Sequence, residues 1–187
     1  LACFNDIGTA FEGKEDFDMA LTYFQKAAAE LSILEALDKP DMNQTDYLIL
    51  KAATFNNKGM LFYYKQDWDR AKKLMQKALS VYREIQDTDP TEHDFLADMA
   101  TLQMNLGALY HHLGDAELSL SNYQAALKTY EILEGKSPYA HDDDMGSVHI
   151  NLGLYFYELK PDKKKSIAHA REGMELIAPL RNQLSKA

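Results

Sequence analysis

Apolar residues recur along this chain at intervals of three and four, the period of an amphipathic helix. Between Ala78 and Asp87, for example, Leu79, Val81, Tyr82 and Ile85 alternate with Ser80, Arg83, Glu84 and Gln86 at that period. Read together with its breaks, the pattern predicts helices over 2–13, 17–37, 45–65, 68–86, 92–113, 116–134, 143–159 and 163–177. Asp16, Asp67, Asp115 and Asp162 stand where every second helix begins, and a carboxylate there accepts hydrogen bonds from the unpaired N–H groups of the first turn. Pro40, Pro90 and Pro138 fall in the connections, where a helix must stop. Thr91 followed by Asp94 predicts a cap for the helix over 92–113. Pro179 is expected to end the last helix, with residues 180–186 forming a short cap.

The helices repeat as pairs. Phe4-Asn5-Asp6-Ile7-Gly8-Thr9-Ala10-Phe11 is followed by Ala20, Phe24 and Ala27. Phe55-Asn56-Asn57-Lys58-Gly59-Met60-Leu61-Phe62 is followed by Ala71, Met75 and Ala78. Gln103-Met104-Asn105-Leu106-Gly107-Ala108-Leu109-Tyr110 leads to Ser119, Tyr123 and Ala126. His149-Ile150-Asn151-Leu152-Gly153-Leu154-Tyr155-Phe156 leads, with one inserted residue, to Ser166, Ala170 and Gly173. A glycine inside a helix costs about 1 kcal/mol relative to alanine. That cost is tolerable where two helices cross closely, so Gly8, Gly59, Gly107 and Gly153 are expected to face Ala20, Ala71, Ser119 and Ser166. Bulky neighbours such as Phe11, Phe24, Phe62, Tyr110, Tyr123 and Phe156 then fill the space around each crossing, and Met60, Met75, Met99, Met104 and Met174 read as core filler.

This pattern resembles the tetratricopeptide repeat: an aromatic, two residues, Leu-Gly, two residues, Tyr, and later Ala, three residues, Phe. The resemblance covers nearly the whole chain. It implies an all-α, right-handed superhelical solenoid of four antiparallel helix pairs. The units lie at approximately 1–38, 46–87, 93–135 and 143–178 within a single domain, and residues 179–187 form a C-terminal cap or truncated continuation. One departure matters. The key glycines are 51, 48 and 46 residues apart, against a usual repeat of about 34. The extra residues keep the helical period, so the helices should be longer by about two turns each. The stretch with Tyr82-Arg83-Glu84, Pro90, Ala100-Thr101-Leu102 and Asn105-Leu106-Gly107 resembles a bacterial long-repeat subclass akin to the repeats of kinesin light chains.

Charge and composition narrow the partners. The net charge is -9 and the pI about 5.1, and an acidic chain repels phosphate backbones, so nucleic acid is not expected. No apolar run approaches the roughly 20 residues that span a bilayer, so no membrane partner is expected. Cys3 is the single cysteine. It excludes an internal disulfide and a multi-cysteine zinc site, and it suits a reducing, cytoplasmic setting. The opening Leu1-Ala2-Cys3, without an initiator Met, reads as a piece of a longer protein.

No catalytic constellation stands out. The glycines are isolated, there is no Gly-x-Ser-x-Gly elbow and no His-Glu-x-x-His. His111 and His112 are adjacent and point about 100° apart on a helix, too divergent for one metal. His141 and Asp142-Asp143-Asp144 read as a solvated loop capping the helix over 143–159. No enzyme activity, metal or cofactor is therefore expected.

In the family that this chain resembles, the first helix of each pair lines a concave groove. Asp6, Asn57, Asn105 and Asn151 each stand two residues before a key glycine. Tyr63, Tyr64, His111, His112 and Tyr157 stand one turn beyond. These positions lie away from the glycine packing stripe, which places them in the groove. An Asn amide both donates to and accepts from a peptide backbone, and Tyr and His add flat apolar area with a polar tip. The expected function is thus a scaffold that binds a protein or extended peptide, the implication also of kinesin light chains, whose equivalent Asn row holds cargo peptides. The matching positions Asn5, Asn56, Met104 and Ile150 carry no basic residue, which argues against a clamp for C-terminal carboxylates. A sensory or regulatory ligand-binding domain of a larger signalling protein is the alternative, and the ends of such a solenoid would allow a homodimer.

Overall fold

The computed structural model describes Asn5 and residues 17–36 and 43–184 of the chain. Seven helices occupy the described residues: α1 (Phe17–Ala36), α2 (Gln44–Tyr64), α3 (Trp68–Thr88), α4 (Leu96–His112), α5 (Ala116–Glu134), α6 (Asp142–Glu158) and α7 (Lys163–Leu184). No strand occurs among them. The chain divides into two compact bodies, Leu1–Phe95 and Leu96–Ala187. In the first, α2 packs along α3 and α1 packs on α2. In the second, α4 pairs with α5 and α6 with α7, while α6 also touches α5 and α4. Short turns make each pair antiparallel. The predicted helix over 2–13, together with Gly8, Phe11 and the cap at Asp16, lies outside the described residues except for Asn5. That residue is buried and donates from Nδ2 to the Thr54 hydroxyl of α2 at 2.8 Å.

The second helix of each described pair starts as its sequence dictates. The Asp67 carboxylate accepts from the Arg70 N–H at 3.2 Å, Asp115 from Leu118 at 3.0 Å and Asp162 from Lys165 at 3.1 Å. Each such cap is worth about 1 kcal/mol. The turn before α5 needs a left-handed residue, which Gly114 supplies at φ 75°. At the corresponding place before α3, Gln66 takes φ 58° without glycine's freedom.

The glycines work as spacers. A Cβ on Gly59 would lie 2.7 Å from Met75 Cγ and 3.4 Å from the Ala71 carbonyl oxygen. On Gly107 it would lie 2.5 Å from the Tyr123 ring, and on Gly153 3.3 Å from the Ser166 carbonyl oxygen. The Ser119 hydroxyl donates to the Gly107 carbonyl at 3.0 Å across its crossing. A further crossing, which the glycine spacing did not predict, brings Gly146 and Gly173 together. A Cβ on Gly173 would lie 2.6 Å from the Gly146 carbonyl oxygen. Around these contacts the second body buries Ala100, Tyr123, Ala126, Tyr130, Val148, Leu152 and Tyr155 in one core, and the first body buries Ala20, Phe24 and Leu61.

Four expectations are corrected. The helix after Pro90 begins at Leu96, not 92, and Thr91 does not cap it. Thr91 instead bonds back to the Asp89 carboxylate through both its N–H (2.9 Å) and its hydroxyl (2.6 Å), an Asx turn that competes with helix. The next residues are held by the Glu92 carboxylate, which accepts from the N–H groups of His93 and Asp94. Phe95 is thereby delivered onto Tyr82, ring against ring at 5.8 Å. Second, Asp142, Asp143 and Asp144 are not a loop but the first turn of α6. No side-chain cap forms there, and the three carboxylates act on the positive end of the helix dipole instead. Third, Pro179 lies inside α7, which continues to Leu184. Proline there removes the N–H that would bond the Glu175 carbonyl, a loss that water offsets because both residues are exposed. Fourth, Met174 is 61% exposed and is no core filler.

One contact between α6 and α7 makes stability depend on pH. His149 Nδ1 lies 3.1 Å from His169 Nδ1, and Phe156 stacks on His169 with planes 3° apart. Burial lowers the pKa of both imidazoles. The His169 charge lowers that of His149 further, while Glu172 pulls both back up. A histidine whose folded pKa is depressed contributes stability that is complete above its unfolded pKa of about 6.5 and is lost as pH falls through the folded value. We predict that the urea midpoint falls between pH 7 and 5, and that His149→Gln with His169→Gln flattens this slope. An unchanged slope in the double variant would assign the pH dependence elsewhere.

Candidate peptide-binding surface

In the second body, α4 and α6 run side by side as the first helices of their pairs. Two residues before each crossing glycine stand Asn105 and Asn151, both half-buried. Seven residues is two turns less about 20°, so His112 shares the face of Asn105, and Glu158 shares the face of Asn151. His112 and Glu158 are exposed. His111 joins the two helices. Its Nε2 lies 2.9 Å from a Glu158 carboxylate oxygen, and its ring meets Tyr155 edge-on at 6.5 Å. The His111 side chain is 13% exposed, so it is more brace than contact surface. The result is a polar strip over two parallel helices, with amides in the middle and an imidazole and a carboxylate at one end.

From inside the core, the phenol of Tyr130 on α5 braces α4. The Thr101 hydroxyl donates to the Ala97 carbonyl at 3.1 Å, so at 2.9 Å it accepts from the Tyr130 hydroxyl. Burial, and secondarily the carboxylates of Asp144 and Asp143, raise the Tyr130 pKa and keep it a donor.

Tyr157 stands elsewhere. Six residues beyond Asn151, it lies about 120° around α6 from it. It is 72% exposed and borders an open groove of about 490 Å³ with Phe156, Pro161, Asp162, Lys163, Ser166 and Ile167.

In the first body, Asn57 is half-buried on α2. Tyr63 packs edge-on against Tyr64 at 5.7 Å and Trp68 at 5.4 Å, bracing the turn from α2 to α3. Burial, then neighbouring Tyr64, pushes its phenol pKa up. Tyr64 keeps 47% of its surface exposed. Asp6 lies outside the described residues.

The pair His149–His169 gives no signal in the sequence, because twenty residues and a turn separate its members.

The family model of the tetratricopeptide repeat matches residues 52–85 and 99–143. Those two stretches are tetratricopeptide repeats. The matches cover the crossings at Gly59 and Gly107 and end within the first turn of α6. The solved structure of BtubC (BKLC) from P. vanneervenii has a similar fold, with a TM-score of 0.64 at 21% sequence identity over 90% of this chain. The chain spans 59% of that protein's length. No curated protein matches it. The tetratricopeptide repeat explains why Asn57 and Asn105 share a register, each on the first helix of a pair and two residues before the glycine on which the second helix packs; Asn151 stands likewise before Gly153. No helix among the described residues is long and apolar enough to cross a membrane.

Proposed function

We propose that the strip on α4 and α6 holds an extended peptide of a protein partner. Tetratricopeptide repeats serve in protein–protein interaction and are typically non-catalytic scaffolds. The observation that carries the finer reading is that Asn105 with His112, and Asn151 with Glu158, present amide, imidazole and carboxylate on neighbouring first helices that His111 ties together. The amides can each donate to and accept from an extended backbone. The His111–Glu158 contact ties α4 to α6, and the Thr101–Tyr130 bond ties α4 to α5, so the strip is braced before a guest arrives, which lowers the ordering cost of binding. The Asn57 face of α2 offers the same chemistry in the first body.

The test is a peptide library selected on the protein, with binding of the enriched peptides measured by fluorescence anisotropy. Asn105→Ala together with Asn151→Ala should weaken them at least about tenfold, the equivalent of about 1.4 kcal/mol, while the melting temperature barely moves. Equal affinity for the double variant, or a double variant that unfolds, would assign these asparagines to structure and end the reading.

A further inference from the structure

The outer side of the last pair carries an apolar stripe whose counterpart one repeat earlier is covered. Advancing by one repeat takes Met104 of α4 to Ile150 of α6, and takes Leu120, Leu127 and Tyr130 of α5 to Ile167, Met174 and Ile177 of α7. The earlier four pack into the core that Val148, Leu152 and Tyr155 of α6 complete. Three of their successors are uncovered, Ile150 at 38%, Ile167 at 50% and Met174 at 61% exposed, while Ile177 is half-buried. Ile150, Met174, Ile177 and Ala178 line an open groove of about 480 Å³. This face therefore has the register and composition of an interface between helix pairs.

We propose that the occupant is the same face of a second copy of this chain, with α7 packed antiparallel on α7 about a two-fold axis. The charges beside the stripe select this arrangement. Ile167 and Met174 are two turns apart and share a face, while Lys164 and Glu175 are three turns apart and share its flank. A two-fold axis between the helices reverses their direction but keeps flank beside flank. With the axis passing midway between Ile167 and Met174, Ile167 of one copy meets Met174 of the other. In the same register Lys164 of each copy lies two residues, about 3 Å along the axis, from the point opposite Glu175 of the other, within reach of both long side chains. A parallel arrangement would instead set the run Lys163-Lys164-Lys165 against itself, which like charges oppose.

Sedimentation equilibrium of the whole chain tests this. A monomer–dimer equilibrium is expected, with Met174→Glu raising the dissociation constant at least about tenfold. The melting curve under monomeric conditions should be unchanged, because Met174 is exposed. Lys164→Glu and Glu175→Lys should each weaken the dimer, and combining them in one chain should restore it, since the exchanged charges again face each other. A wild-type chain that stays monomeric throughout the micromolar range overturns the proposal. So does a dimer indifferent to Met174→Glu, or a charge exchange that fails to restore association.

Discussion

Gly107→Ala should destabilise the protein by about 2 kcal/mol, although alanine is the better helix former. The added Cβ would lie 2.5 Å from one atom of the Tyr123 ring, 2.6 Å from a second and 3.0 Å from a third. Tyr123 is 1% exposed and sits in the core with Tyr130, Val148 and Leu152. A planar ring so enclosed cannot swing aside, so the helices α4 and α5 must part. Overpacking of this kind typically costs about 1–3 kcal/mol, sometimes more, and the helix-propensity gain returns about 1 kcal/mol of it. The claim is sharpened by a cycle with Tyr123→Leu. That change alone leaves a gap and is destabilising, but the gap is where the new methyl would go. The double variant should therefore be at least about 1 kcal/mol more stable than the sum of the single effects, as expected of residues in direct contact. Urea unfolding of the four proteins measures this. Strict additivity would show that the methyl at 107 never meets the ring at 123.

Much of the fold was legible because its key contacts are made by residue types with few uses. A helical glycine is unfavourable enough to need a reason, and a small residue twelve or thirteen positions later supplied it at Gly59–Ala71, Gly107–Ser119 and Gly153–Ser166. The Asp residues before α3, α5 and α7 were equally readable, since capping is local. What failed was local chemistry with two competing outcomes. Thr91 could cap a helix or close a turn on Asp89, and the proline at position 90, which disfavours helix for the residue before it, decided for the turn. Pro179 looks like a stop, but near an exposed helix end the missing hydrogen bond is cheap to replace. The carboxylates at 142–144 suit a capping loop. They suit the first turn of a helix as well, and the buried Gly146 and Val148 draw that turn into the pair with α7.

The candidate surface was legible only in part. Its asparagines follow from the repeat register, since each stands at a fixed distance from a glycine. The residues around them do not. His111 and Tyr63 occupy corresponding places four residues after Gly107 and Gly59, yet one braces α4 to α6 through Glu158 and the other packs on Trp68. Such partners come from neighbouring helices, and the period of a single helix carries no information about them. Met174 shows the same limit: its position in the register is that of a core residue, and only the lack of a covering helix among the described residues makes it surface.

Gly173→Ala should be the more damaging methyl, at about 3 kcal/mol, and Gly59→Ala close to neutral, although all three glycines lie in helices at close crossings. The difference lies in what the Cβ meets. At Gly59 it meets Met75 Cγ at 2.7 Å, part of an unbranched side chain that can change rotamer. The remaining contacts are at 3.4 Å, and the helix gains about 1 kcal/mol from alanine, which offsets the strain. At Gly173 the obstacles are the Gly146 carbonyl oxygen at 2.6 Å, the Ile150 side chain at 2.9 Å and the Ile150 backbone nitrogen at 3.1 Å. Main-chain atoms of α6 cannot move singly. The whole helix must shift, which also disturbs the close approach of Gly153 to Ser166 and the stacking of Phe156 on His169. Thermal unfolding should therefore drop by about 6–12 °C for Gly173→Ala, at roughly 2–4 °C per kcal/mol for a chain of this size, and by almost nothing for Gly59→Ala. If both variants melt alike, side-chain and backbone obstacles are equally yielding, and the separation of α6 from α7 is not set by the meeting of Gly146 with Gly173.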